Sequence, residues 1–112
     1  EDTVNDTTRT LFRFNFDIAP IQIAILPLSK KDNLINTSKK IKTKLQRSFR
    51  TEIDITQSIG KRYRRQDEIG TPYCITVDFE TMDDDSVTIR NRDTMNQERV
   101  EINKLHDYFE NI

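Results

Sequence analysis

The sequence has few of the residues on which catalytic and metal sites depend. Among 112 residues there are one cysteine, one histidine, two glycines and no tryptophan. Cys74 has no second cysteine for an internal disulfide, which fits a reducing compartment and leads us to expect a cytoplasmic protein. Cys74 and His106 make neither a zinc site nor a credible nucleophilic triad. Gly60 and Gly70 are too few for a glycine-rich phosphate loop or a dinucleotide-binding fingerprint.

Long hydrophobic runs are also missing. No stretch approaches the ~18 apolar residues of a membrane-spanning helix, and no apolar segment at the start resembles a secretory signal. We therefore expect no membrane contact. The length predicts one domain with its own core. Residues 1–10 are polar and without periodicity, so we expect a disordered lead or linker there and a folded domain over residues 11–112.

Charge is nearly balanced overall but is unevenly distributed along the chain. The formal net charge is −1, yet residues 29–65 carry a net +9 and residues 66–112 a net −8. Such asymmetry within one domain favours a polyanionic partner for the basic part. The alternative is that the two parts form solvated surfaces that partly pair with each other.

Hydrophobic periodicity predicts an α/β domain. Strands are expected at 12–16, 21–26, 53–55, 73–79, 86–92 and 99–102, and helices at 34–49, 59–69 and after residue 103. Asp32 or Asn33, Ser58 and Asn103 are the expected helix caps, and residues 80–85 are expected to form an acidic loop. A strand, helix and strand in succession indicate a parallel right-handed crossover. The pattern predicts three layers built on a mixed sheet.

The predicted second helix has its charges reversed relative to the helix dipole. Lys61 and Arg62 lie in its first turn and Asp67 and Glu68 in its last, where each placement is unfavourable. A phosphate bound at the start of this helix would compensate for them. The alternative is internal pairing, for example between Arg64 and Glu68 one turn apart.

The outward face of the predicted hairpin carries charges of both signs. Strand alternation places Thr76, Asp78 and Glu80 beside Arg90 and Arg92. One interpretation is that these side chains only form cross-strand ion pairs. The alternative is that they recognise an unpaired cytosine, since a carboxylate accepts from the N4 amine and an arginine donates to O2 and N3.

The segment Ser58–Phe79, SIGKRYRRQDEIGTPYCITVDF, resembles the C-terminal anticodon-binding domain of the eukaryotic and archaeal type of glycyl-tRNA synthetase. In that family a run similar to SIG-[KR]-RY-x-R-x-DE-[IL]-G-x-P-[FY]-G-[VI]-T-[VI]-DF recurs. VTIRNRDTMNQ, Val87–Gln97, and IAPIQIAILPLS, Ile18–Ser29, are similar to further parts of the domain. The chain departs from the pattern at Arg64 and Cys74, where the family usually has a small residue and a glycine.

The resemblance implies a mixed five-stranded sheet with about three helices that docks the anticodon stem-loop of a glycine tRNA, which carries two anticodon cytosines. It implies a parent enzyme that is a homodimeric class II ligase using ATP and Mg, with no cofactor and no catalysis in this domain. Matched to the motif, the expected phosphate and loop contacts are Lys61, Arg62 and Arg65. The expected base-recognising residues, or residues that hold them in place, are Asp78, Glu80, Arg90, Arg92 and Asp93.

A function of another class is also possible for this fold. A domain of this kind can serve in protein assembly, as in the accessory subunit of a mitochondrial DNA polymerase that resembles these synthetases. The near-zero net charge and the alternating Phe12, Phe14 and Phe16 favour that alternative. Replacing Lys61, Arg62 and Arg65 by alanine distinguishes the two functions by its effect on RNA binding.

Overall fold

A computed structural model describes residues 16–55, 70–92 and 94–111. Its strands are β1 (Ile23–Pro27), β2 (Thr51–Ile53), β3 (Tyr73–Val77), β4 (Ser86–Asn91) and β5 (Gln97–Glu101). Its helices are α1 (Asp32–Leu45), α2 (Thr81–Asp84) and α3 (Leu105–Glu110), with a 3-10 turn at Ile102–Lys104 before α3. Within these residues no helix has the length and apolar character needed to span a bilayer.

The strands form one mixed sheet in the order β2-β1-β3-β4-β5. β1 runs parallel to both β2 and β3, whereas β4 is antiparallel to β3 and to β5. All residues of β1 and β3 are buried, as expected for strands at the centre of a sheet. The α/β fold on a mixed five-stranded sheet is therefore confirmed.

Helix α1 connects the parallel strands β1 and β2. Its buried side chains are Leu34, Ser38, Ile41 and Leu45, at the spacing of one helical face. The helix that hydrophobic periodicity predicts at 34–49 is thus present, with one buried face. The predicted caps at Asp32 and Asn33 are wrong, because both residues lie inside the helix and Lys31 occupies the N-cap position without a capping side chain.

The end of α1 also differs from the prediction. The helix stops at Leu45 rather than at Phe49. Phe49 is nevertheless buried, and its backbone N–H donates to the Leu45 carbonyl at 2.8 Å. The apolar pattern therefore continues beyond the last helical residue, because Phe49 is buried without being part of the helix. The pattern predicts which side chains are buried better than it predicts where the helix ends.

Aromatic rings form the centre of the core on the side of the sheet that α1 covers. The ring of Phe16 is fully buried and lies 5.6 Å from that of Phe49, 5.8 Å from that of Tyr73 and 6.0 Å from that of Phe109. Residues 16–18 are helical, so the end of the predicted strand at 12–16 is wrong. Phe12 and Phe14 lie outside the described residues.

The C-terminal half contains two further corrections. The expected acidic loop at 80–85 contains helix α2, and Asp85 follows it with a positive φ of 53°. Asn103 does not cap α3, since it lies in the 3-10 turn and Lys104 takes the N-cap position. The predicted helix at 59–69 and its cap, Ser58, lie outside the described residues.

Candidate nucleic-acid interface

The sheet has an inner face, which carries the aromatic core, and an outer face. Alternation along β3 places Tyr73, Ile75 and Val77 on the inner face, where they join the main hydrophobic cluster. Cys74 and Thr76 lie on the outer face, where Cys74 is buried with Ala24 and Leu26. The outward position expected for Thr76 is therefore confirmed, and Cys74 is a free, buried cysteine.

Arg90 lies on the outer face of the sheet near the β4–β5 turn. Its register partners are Cys74 on β3 and Gln97 on β5. Its Nη2 atom lies 2.9 Å from the thioether sulfur of Met95. Thus Arg90 stands over the amino-terminal end of β3, beside the turn that joins β4 to β5.

Arg92 lies at the same end of the sheet, and its guanidinium lies close to Gly70. Its backbone N–H donates to the Pro72 carbonyl at 2.9 Å. Gly70 has a φ of +91°, and a Cβ atom placed on it would lie 3.1 Å from Nη1 of Arg92. Glycine is therefore favoured at 70 for its backbone conformation and because it leaves room for the guanidinium.

The opposite end of the outer face is organised by Arg99 of β5. Its Nη1 donates to Asp78 Oδ2 at 2.9 Å and to the hydroxyl of Thr88 at 3.2 Å. Its Nη2 donates to Asp84 Oδ1 at 3.1 Å. Asp78 also accepts from the backbone N–H and the hydroxyl of Thr81 at the start of α2. Arg99 therefore joins β5, β4, the end of β3 and α2.

These contacts shift three ionisation equilibria. Burial pushes the pKa of Asp78 upward, but hydrogen bonds and charge from Arg99, with the bonds from Thr81, bring the pKa below its usual value. The hydrogen bond from Arg99 lowers the pKa of Asp84. The hydrogen bond to Asp78 raises the pKa of Arg99, which remains a cation. Charge-assisted hydrogen bonds of this kind favour the ionised form of both partners.

The predicted grouping of carboxylates with arginines is wrong in one respect. Asp78 and Glu80 do not stand beside Arg90 and Arg92. Cys74, the register partner of Arg90, is four residues from Asp78, a separation of about 13 Å along an extended strand. The carboxylate of Asp78 instead pairs with Arg99, and Glu80 is exposed before α2.

Sequence reasoning missed Arg99 as a partner of Asp78. The strand expected at 99–102 begins at Arg99, and the outward position of Arg99 follows from alternation with the inward-facing Val100. Its partner does not follow from local pattern, because the register of β5 against β4 decides which side chains meet. Arg99 is opposite Thr88, and this brings it within reach of Asp78.

The predicted phosphate-binding residues cannot be placed. Lys61, Arg62 and Arg65, and also Asp93, lie outside the described residues, and the predictions for them stay predictions. Among the described residues, Arg90 and Arg92 are the members of the predicted set that lie together at one end of the outer face.

The basic residues of α1 lie on the other side of the molecule. Lys39, Lys40 and Lys44 are exposed on α1, and α1 packs against the inner face through Leu34 and Ile41. The lysines of α1, which are part of the basic stretch at 29–65, therefore do not share a surface with Arg90. They face away from it.

Comparison with known proteins gives consistent results. A family model described as "Anticodon binding domain" matches residues 22–112. The chain is 55% identical over 111 residues to a glycine–tRNA ligase of Ruminiclostridium cellulolyticum, covering 99% of this chain and 24% of the relative. It is 53% identical over 110 residues to that of Clostridium beijerinckii, covering 98% and 23%. The chain thus spans about a quarter of the length of these relatives. Both are bacterial, so the eukaryotic and archaeal part of the expectation has no support from them.

Solved structures share the fold. The RNA binding domain of threonyl-tRNA synthetase from Cryptosporidium parvum superposes with a TM-score of 0.73 and 26% identity, covering 81% of this chain and 23% of that one. The prolyl-tRNA synthetase from the same organism, complexed with L-proline and AMP, gives a TM-score of 0.75 at 19% identity, covering 82% and 21%. The second similarity shows the fold only.

Proposed function

The chain belongs to the anticodon-binding domain family, and from this premise we propose that it binds the anticodon stem-loop of a glycine tRNA as part of a longer glycine–tRNA ligase. The whole enzyme would attach glycine to its tRNA with ATP and Mg, as a homodimer in the cytoplasm. The names of the bacterial relatives support this proposal. They do not favour the alternative of a protein-assembly domain.

The observation that carries the proposal is the placement of Arg90 and Arg92 at one end of the outer face. Guanidinium groups donate to O2 and N3 of an unpaired cytosine and to phosphate oxygens. The sheet supplies a rigid base for both, because Arg90 lies within β4 and the Arg92 backbone is bonded to Pro72. Recognition from a rigid element loses little conformational entropy when RNA binds.

The roles of the acidic candidates differ under this proposal. The carboxylate oxygens of Asp78 already accept from Arg99 and Thr81, so we assign Asp78 to holding the end of β3 and α2 in place. Glu80 lies at that same end, away from Arg90. Asp93, next to Arg92 in the sequence, is the proposed acceptor for a cytosine N4 amine. Lys61, Arg62 and Arg65 remain the proposed phosphate contacts.

The test is the affinity for an RNA hairpin carrying the anticodon loop of a glycine tRNA. We expect the Arg90→Gln/Arg92→Gln double variant to lose about 1–3 kcal/mol for each base contact removed, which raises Kd roughly five- to 150-fold per contact. Lys39→Gln/Lys40→Gln removes the same charge from α1 and is the matched control. It should change Kd by no more than about twofold at physiological salt, because charges farther apart than a Debye length are screened.

Hairpins with one anticodon cytosine replaced separate base recognition from general attraction. The wild-type chain should discriminate against a replaced cytosine, and the arginine double variant should not. Equal losses from the arginine and lysine variants would show that only net charge matters. Replacing Lys61, Arg62 and Arg65 by alanine should flatten the dependence of affinity on salt, since fewer counterions are released.

A further inference from the structure

The turn between β4 and β5 contains a methionine in an unusual backbone conformation. Met95 has a positive φ of 61°, in the left-handed region that residues other than Gly, Asn and Asp seldom adopt. The side chain is 59% exposed, so burial of apolar surface contributes little to offset the backbone strain. Strain of this kind is often kept for a functional reason.

The hydrogen bonds that close the turn do not require methionine. The backbone N–H of Met95 donates to the Asn91 carbonyl at 2.8 Å, and that of Asn91 donates to the Asn96 carbonyl at 2.9 Å. The Asn91 side chain accepts from the Thr94 N–H at 3.2 Å. Any residue at 95 supplies the same backbone donor, and glycine would supply it without strain.

The side chain of Met95 has a contact that glycine could not make. Its thioether sulfur lies 2.9 Å from Nη2 of Arg90. We propose that Met95 is a positioning residue, which holds the Arg90 guanidinium in the orientation that meets an anticodon base. This inference rests on the proposed function, because it gives Arg90 an RNA base as its target.

A thioether suits this task better than a carboxylate. Sulfur is a weak, polarisable acceptor, so it orients a guanidinium without neutralising it or holding its donors strongly. Asp78 and Asp84 show the contrasting case, since their carboxylates hold Arg99 through several charge-assisted bonds. The contact between Met95 and Arg90 is of the weaker kind, and an RNA acceptor can replace it.

The test uses Met95→Gly in the 112-residue chain, with the glycine anticodon hairpin as the probe. We expect the variant to keep or raise the Tm, by up to roughly 4 °C, because the backbone strain is relieved. We expect its Kd for the hairpin to rise about fivefold, the effect of one lost weak contact. Met95→Leu keeps the side-chain size and the strain but lacks the acceptor, so its Kd should rise similarly.

An Arg90→Gln background provides the control for mechanism. There, Met95→Gly should have no further effect on Kd, since the two residues act through one contact. Wild-type chain that fails to bind the hairpin would overturn both the function and the inference. Wild-type binding with an unchanged Kd in Met95→Gly would overturn the inference alone. So would a joint fall in Tm and affinity, or a loss that persists in the Arg90→Gln background.

Discussion

The Arg99 side chain determines what the carboxylates around it can do. Asp78 is engaged by Arg99 at the same time as it bonds to Thr81, so it stabilises the junction of β3 and α2. Asp84 pairs with the other side of the same guanidinium. Asp78 and Asp84 therefore share an internal cation as their partner.

The lowered pKa values of Asp78 and Asp84 predict a loss of stability in acid. A carboxyl whose pKa is depressed by folding stabilises the protein above the unfolded pKa, near 3.8 for Asp, and this stability is lost as the pH falls through the folded value. We expect the urea midpoint of the wild type to fall from pH 5 to pH 2 more steeply than that of Arg99→Gln. For the partly exposed Asp78–Arg99 pair the screened contribution is about 0.2–1 kcal/mol.

Lys40→Gln is the control for this acid effect, because Lys40 is an exposed cation on α1. Its urea midpoint should follow the wild-type dependence on pH. Parallel curves for the wild type and Arg99→Gln would show that the pairing does not contribute to stability.

For single residues, the sequence predicts the face of the sheet on which a side chain lies. It does not predict the side chain with which it pairs. The outward positions of Thr88 and Arg90 follow from the two-residue period of a strand, which is local. The pairing of Asp78 with Arg99 depends instead on the registers of β4 and β5. Register is set by turn geometry and by pairing across the sheet, neither of which a residue pattern contains.

At the scale of elements, α1 also has features that a local sequence pattern predicts and features that it does not. The sequence predicts this helix correctly, because a 3.6-residue apolar period is a local signal. It does not predict where the helix starts, because several polar residues stand in succession and each is compatible with a cap. The extended conformation that a cap requires occurs at Lys31, with φ −61° and ψ 138°, and lysine cannot cap.

Lys31→Asp should therefore stabilise the protein. The new carboxylate would accept from a backbone N–H group in the first turn of α1 and would suit the helix dipole. We expect a gain of about 0.5–2 kcal/mol, measured as a higher urea midpoint with an unchanged slope. Lys30→Asp makes the same charge change one residue earlier. An equal gain in both variants would assign the effect to charge rather than to capping.

At the scale of the whole molecule, charge and core are arranged about the two faces of the sheet. The sequence shows the excess of basic residues at 29–65 but not that the lysines of α1 face away from Arg90. It predicts the α/β fold, since strands and helices alternate in a recognisable order. It does not predict that Phe16 is helical and buried, because the tertiary contacts of one ring override a short alternating pattern.

Those tertiary contacts converge on Phe109 of α3. Its ring lies 5.3 Å from that of Tyr73, 5.9 Å from that of Phe49 and 6.0 Å from that of Phe16. These residues come from separate parts of the chain, so one ring joins α3 to the centre of the sheet and to the segments on either side of α1. Because the side chain is fully buried, its removal would leave a cavity.

Phe109→Ala should lower the free energy of unfolding by about 3–5 kcal/mol. Domains of this size have about 5–15 kcal/mol in total, so the urea midpoint should fall greatly while the slope stays the same if unfolding remains cooperative. Phe109→Leu fills most of the space and should lose less. It should retain wild-type RNA affinity below its own midpoint, because Arg90 lies on the opposite face. A loss below about 1 kcal/mol in Phe109→Ala would mean that α3 is not part of the cooperative core.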